Sequence, residues 1–371
     1  MVVYYTLLVI ILYLGVLKIF TRESTQIETA LLWIGIIALF VFAATRSIRI
    51  GADTSQYCRY FLHISKTGWF ELLTSYSHPI YGSIELGYRI YNKLLSWLGG
   101  QQIITVANSF LQMSLIAILI LRDSRDRYLS LLLYFTFCFY QTALNLTPSS
   151  FTSYFMFLSF PLIQKKRLIP FLLWAATGAM FHLSAIFFLP LYFINSLPLN
   201  KKTFILFLGG AASLFVFYVS VLPTLLVILP PSYRIYISTF NPDNSYSIQF
   251  FVYVVQLLPI LFILWIMDQN SRLEFARNNS LMIWTFLFES VIYFMARRAA
   301  MFSRGAFLFS PYVIILLPQM ISEVKSLTER RVITAILVFY SVAVYIVRVK
   351  FNNVGTTMPY AFYWNDFLLS R

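Results

Sequence analysis

His182 stands in the stretch Ala179-Met-Phe-His182-Leu-Ser184-Ala185 and is the only histidine inside an apolar span. An imidazole held where two short helices meet can take a proton near neutral pH, which makes His182 the first candidate for a general base. A helix-breaking residue held by its own hydrogen bonds is the plain alternative. Asp53 and Glu85 are the other candidate bases, each with an arginine close in sequence that competes for its charge. Arg46 and Arg49 are three apart and share a face if the preceding helix continues through them. Gly51 then ends that helix, and Asp53 or Thr54 caps the next. Two guanidiniums beside a helix N-terminus make a phosphate cradle; a capped turn in which Asp53 neutralises Arg49 is an equal reading. Further along, Arg297, Arg298 and Arg304 flank a turn, with Glu289 upstream within reach of Arg297. Three arginines at one boundary suit an anion, with snorkelling side chains as the alternative. His63 and His78 have no second ligand at a useful spacing, so no metal is expected. No Walker A or GxGxxG stretch is present, and no cofactor is expected.

The elements that must position these residues follow from composition. Of 371 residues, 59% are hydrophobic and only 11% charged, whereas soluble chains average roughly 25% charged. Such a chain needs a bilayer, and disordered, fibrous and nucleic-acid-packing classes are excluded. Two cysteines exclude a disulfide framework. Apolar runs of spanning length recur from residue 2 to residue 347, which predicts an all-α, polytopic integral membrane protein with about 10–12 transmembrane helices in one domain, residues 1–371. Residues 168–197 are too long for one straight span and are cut by His182, which predicts a re-entrant pair of short helices.

Lys and Arg set the orientation. The clusters Arg122–Arg127 and Lys165–Arg167 read as cytoplasmic, which puts the long polar stretch 46–102 outside. Nearly as many basic residues fall on the outer face as on the inner one. That near-balance against a net charge of +14 points to an anionic ligand at the outer leaflet. The stretch 46–102 is too long for a structureless loop, so it is expected to be partly helical. Tyr57, Tyr60, Phe61 and Ile64 keep helical spacing and predict an interfacial amphipathic helix. Glu85, Arg89 and Asn92 form a polar stripe opposite Ile84, Tyr88, Tyr91, Leu95 and Leu98.

Four short motifs in order carry a resemblance. They are Arg49-x-Gly51-x-Asp53-Thr54-x-x-Tyr57-x-x-x-Phe61, Glu85-x-Gly87-Tyr88-x-x-x-Asn92, Tyr140-Gln141-x-x-x-Asn145 and Phe181-His182-x-Ser184-Ala185. Over roughly residues 30–200 the chain resembles the EpsG family of Wzy-like polysaccharide polymerases. Where that family carries Arg and Gln after the last Asn, this chain has Pro148 and Ser149. The resemblance implies an inverting, metal-independent glycosyltransferase that polymerises exopolysaccharide or O-antigen repeats carried on a polyprenyl (undecaprenyl) pyrophosphate. It implies a multi-pass protein of the bacterial inner membrane with its active site on the periplasmic face. Catalytic roles would fall to His182, Asp53 and Glu85. Pyrophosphate would be bound by Arg49, Arg297 and Arg304, with Arg46, Arg89 and Arg298 as lesser candidates, and glycan by Tyr57, Tyr88, Asn92, Gln141 and Asn145. Expected partners are the lipid-linked oligosaccharide, membrane lipid, a flippase and a chain-length regulator, and no nucleic acid. The alternatives are a flippase or transporter of an anionic lipid-linked glycan and a membrane O-acyltransferase.

Overall fold

The computed structural model describes residues 1–21, 24–74, 78–82, 84–228, 246–296 and 300–365, with side chains undescribed at 218–228, 246–250, 300, 301, 303 and 304. The apolar runs are helices, and among the described residues the only strand-like pairing is one antiparallel bridge between Arg46 and Phe362. The protein is an all-α polytopic membrane protein. Among the described residues, five stretches are long and apolar enough to cross a membrane: Val2–Phe20 (α1), Thr25–Ala44 (α2), Gln102–Asp123 (α6), Gly305–Ser322 and Leu327–Phe351 (α19).

Much of the rest, from residue 127 to residue 194, is built from shorter pieces. Arg127–Thr136 (α7) and Phe139–Asn145 (α8) are separated by Cys138, whose φ of 62° bends the chain between them. Thr147–Leu158 (α9) starts on Pro148, a residue suited to the first helical turn, and runs on into Phe160–Gln164 (α10). Leu168–Phe181 (α11) ends at His182; a 3-10 turn, Leu183–Phe188, and Leu189–Ile194 (α12) follow. Phe171, near the start of α11, stacks on Tyr192, near the end of α12, at 5.4 Å. The two arms are therefore a hairpin with His182 at its tip. After these come Lys201–Ile228 (α13), Tyr246–Ile266 (α14), Gln269–Asn278 (α15), Ser280–Met295 (α16), Ala300–Phe307 (α17) and Val313–Ser322 (α18).

Charge marks one end of the bundle. Lys18 pairs with Glu28 and Asp126 at 2.8 and 2.7 Å, and Arg125 donates to Gln319. The opposite end carries the stretch 46–102, which contains three helices: Thr54–Lys66 (α3), Trp69–Thr74 (α4) and Leu86–Leu95 (α5). In α3 the helical spacing holds, but Cys58, Phe61 and Ile64 are buried against other parts of the protein, where an interfacial helix would turn that face to the membrane.

A second expectation at this end is corrected. The helix does not continue from Ala44 through Arg46 and Arg49 to Gly51. The Ser47 N–H donates to the Ala361 carbonyl and the Tyr363 N–H to the Thr45 carbonyl, so the chain is extended there and paired with a segment from the far end of the sequence. Arg46 and Arg49 consequently part: Arg46 is buried and Arg49 is exposed.

Candidate active site

Gly51 has a φ of 94°, a conformation that disfavours any side chain, and a Cβ there would stand 3.0 Å from the Leu144 carbonyl oxygen. The turn can therefore lie directly on the end of α8. Thr54 Oγ1 donates to the Ile50 carbonyl, and the Asp53 N–H donates to Asn145 Oδ1 at 2.8 Å. A second turn, Val354–Thr356, closes on the first through hydrogen bonds from Gly51 N to Thr356 O and from Ala52 N to Gly355 O. The Asp53 and Asn145 motifs are thus joined through a main-chain hydrogen bond.

The Glu85 and His182 motifs meet in the same way. Glu85 sits at the N-cap of α5, and its Oε1 accepts the Leu183 N–H at 2.9 Å. Gly87 allows this approach, because its Cα rests on the main chain of Met180 at the end of α11. His182 is half-buried. It caps the following 3-10 turn: Nδ1 accepts the Ser184 N–H at 3.3 Å and lies 2.6 Å from Ser184 Oγ. The Tyr57 and Tyr88 rings, 6.0 Å apart and edge to face, connect the Asp53 side to the Glu85 side. His182, Glu85, Asp53, Asn145, Tyr57 and Tyr88 therefore belong to one cluster at the loop end. Two carboxylates, an imidazole and an exposed guanidinium, Arg49, are what proton transfer beside an anionic ligand requires.

Other expected site residues have different surroundings. The Arg46 guanidinium donates to Ala43 O, Ser109 Oγ and Leu144 O, so it ties the ends of α2, α6 and α8 together. Arg89 is buried and donates to the carbonyls of Ile84, Gly82 and Leu72, with its guanidinium over the Tyr81 ring. Arg89 thus satisfies main-chain acceptors of the loop, and Arg46 satisfies acceptors on the helices beneath it. Gln141 lies deeper, where its Nε2 donates to the Tyr345 hydroxyl. Arg297 and Arg298 lie outside the described residues. Arg304 belongs to α17, and its side chain is outside them as well.

Tyr88 and Asn92 are fully buried rather than lining open surface. Burial raises the Tyr88 and Tyr91 phenols well above their ordinary range, so both remain protonated. They back onto a polar stripe of α6 that sequence reasoning missed: Thr105, Asn108, Ser109 and Gln112, all buried. The Asn108 amide donates to the Tyr88 hydroxyl and the Gln112 amide to the Ala143 carbonyl. The signal was present in the sequence, as polar residues at i, i+3, i+4 and i+7 of an otherwise apolar span.

On the other side of Asn145 is a cavity of about 360 Å³, lined by Thr142, Asn145, Tyr293, Ser310, Arg348 and Asn352 together with apolar side chains. Arg348 was legible only as one more outer-face charge. In α19 it is buried, one turn below the turn that clasps Gly51.

No curated protein and no solved structure matches the chain. The EpsG family profile matches residues 29–362, a range that includes all four motifs, the α6 stripe and Arg348. With that match over most of its length, the chain belongs to the EpsG family, a Wzy-like polymerase family, and is a polysaccharide-polymerase-type membrane protein.

Proposed function

We propose that this protein joins lipid-pyrophosphate-linked oligosaccharide units, passing the glycan of one polyprenyl carrier to the terminal sugar of another at the outer face of the bacterial cytoplasmic membrane. The observation that carries the reading is the hydrogen bond from Leu183 N–H to Glu85 Oε1. It holds a carboxylate beside the tip of the His182 hairpin, at the same end as the exposed Arg49.

In the reaction, an acceptor hydroxyl oxygen bonds to the donor's anomeric carbon from the face opposite the leaving group. The bond from that carbon to the pyrophosphate oxygen breaks, lipid pyrophosphate leaves with the electron pair, and configuration inverts. The hydroxyl proton needs a base. A main-chain N–H cannot accept, so His182 Nδ1 must be the acceptor in its bond with Ser184, and a neutral imidazole then carries its proton on Nε2. His182 in this state offers a donor, not a base. We assign proton removal to Glu85 and give His182 the task of orienting a reacting oxygen through Nε2–H, with Asp53 as the remaining carboxylate. Arg49, with Arg304, Arg297 and Arg298, would take the pyrophosphate; Arg46 and Arg89 would hold the walls. Tyr57 and Asn145 would contact glycan, with Tyr88, Asn92 and Gln141 supporting them from beneath.

Purified protein in proteoliposomes, supplied with the lipid-linked repeat unit, tests this. The wild type should release lipid pyrophosphate and build long glycan, and Glu85→Gln should do neither while retaining the protein in the bilayer. Movement of the single unit across the bilayer with no elongation would replace the polymerase reading with a flippase.

A further inference from the structure

Arg348 differs from the other buried arginines of the loop end. Arg46 and Arg89 each donate to three acceptors supplied by the protein. Arg348 is 5% exposed and has a single acceptor among the described residues, the Phe137 carbonyl, which takes its Nη1; its Nε, like that of Arg46, has no partner there. A buried cation with an unmade hydrogen bond is costly unless something completes it. The side chain lines the cavity of about 360 Å³, whose polar wall also includes the Asn145 amide and the Tyr293 and Ser310 hydroxyls. The nearby carboxylate, Glu289, does not line the cavity; Ser310 Oγ donates to it at 2.6 Å. The rest of the wall adds Thr142 and Asn352 to apolar side chains such as Phe137, Leu146 and Phe307, so the cavity combines a cation and polar groups with apolar surface.

We propose that Arg348 is a binding residue for the phosphate-bearing end of a polyprenyl carrier, with the anion against the guanidinium and the first isoprene units against the apolar surface. Arg is suited to this because its fork meets phosphate oxygens in pairs. The cavity shares two rim residues with the Asp53 loop. Asn145 takes the Asp53 N–H, and Gly355 takes the Ala52 N–H. A carrier seated on Arg348 would thus present its phosphate next to the turn that bears Asp53 and Arg49. This inference rests on the polymerase reading for the identity of the lipid, but the anion site itself does not.

Binding measured in nanodiscs separates the two. The probes are polyprenyl pyrophosphate, polyprenol of equal length and inorganic pyrophosphate. The proteins are wild type, Arg348→Gln, Arg348→Lys and, as a control at the opposite end, Lys202→Gln. Thermal melting of each variant provides the check on folding, and Arg348→Lys keeps the charge if Arg348→Gln fails to fold. The wild type and Lys202→Gln should prefer polyprenyl pyrophosphate over polyprenol by about tenfold or more, and both Arg348 variants should lose most of that preference. An Arg348→Lys protein that melts as wild type does and keeps the full preference overturns the proposal, and polymer made at the wild-type rate by that variant leaves the polymerase reading standing. Wild type that binds inorganic pyrophosphate through Arg348 but shows no preference for the lipid form keeps the anion site and removes the lipid-linked donor. Binding of neither anion overturns the site.

Discussion

Gly87 lies on the main chain of Met180 so closely that a Cβ would stand 2.7 Å from the Met180 carbonyl oxygen. The atoms it would meet are backbone or Cβ, which cannot swing aside as the end of a long side chain can. Gly87→Ala should therefore push α5 away from the His182 hairpin. Overpacking of this kind costs about 1–3 kcal/mol, and loss of near-attack geometry costs more rate than stability. The expected outcome is protein that still enters the membrane, melts a few degrees lower and makes little polymer. Normal polymer from Gly87→Ala would show that the Glu85–Leu183 contact is dispensable.

The division of labour between Glu85 and His182 has its own signature. Glu85→Gln should lower the rate by about 10²–10⁴-fold, the usual contribution of a positioned base, with donor-lipid binding unchanged. His182→Asn should keep more activity than His182→Ala, because Asn can still cap the 3-10 turn by accepting the Ser184 N–H and still offers a donor. Rates of elongation with purified donor lipid distinguish the cases. Equal loss in both His182 variants, with Glu85→Gln active, would make His182 the base.

Arg46 and Arg49 should fail in different ways. Lys at position 46 cannot reach Ala43 O, Ser109 Oγ and Leu144 O together. Each buried acceptor left without its donor costs about 1–3 kcal/mol, so Arg46→Lys should deplete the protein from the membrane. Arg49 is exposed, and Arg49→Lys should leave protein level intact while polymer is lost, since an ammonium does not reproduce bidentate phosphate binding. Immunoblots of membranes alongside polymer profiles read both. Full polymer from Arg49→Lys would remove Arg49 from the pyrophosphate site.

Orientation is open to direct labelling. Single cysteines placed in the Lys165–Arg167 turn should resist an impermeant thiol reagent applied from outside, and cysteines at exposed positions such as Phe70 or Leu98 should react. The endogenous Cys58 and Cys138 are buried and should contribute little background. The reverse pattern would turn the molecule over and put the site in the cytoplasm.

The helices and the break at His182 were legible because apolar run length and an interrupting polar residue are local signals. The order and spacing of the four motifs carried the family resemblance, whereas the contacts that join them, Asp53 N–H to Asn145 and Leu183 N–H to Glu85, come from the fold. The end of α2 was not. Nothing near Ala44 predicts that residues 45–47 pair with 361–363, because that pairing depends on contacts made across almost the whole sequence. For the same reason Arg46 and Arg49 looked equivalent, although one is a brace and the other is exposed. Burial of Tyr88 and Asn92 was hidden by the α6 stripe that covers them, and Arg348 stood out only once Asn145, Tyr293 and Ser310 surrounded the same space.

The pairing of Arg46 with Phe362 also sets an order of assembly. Tyr4 donates to Thr357 O, Tyr360 to Phe42 O, and Ser47 to Ala361 O, so the segment that seals the loop end is translated after every helix it touches. Chains are made and begin to fold from the N-terminus. The first helices must therefore enter the bilayer with their loop end unfastened. The Asp53 loop gains its hydrogen bonds to Gly355, Thr356 and Ala361 only once residues 354–363 have left the ribosome, so this end of the molecule is the last to be fastened.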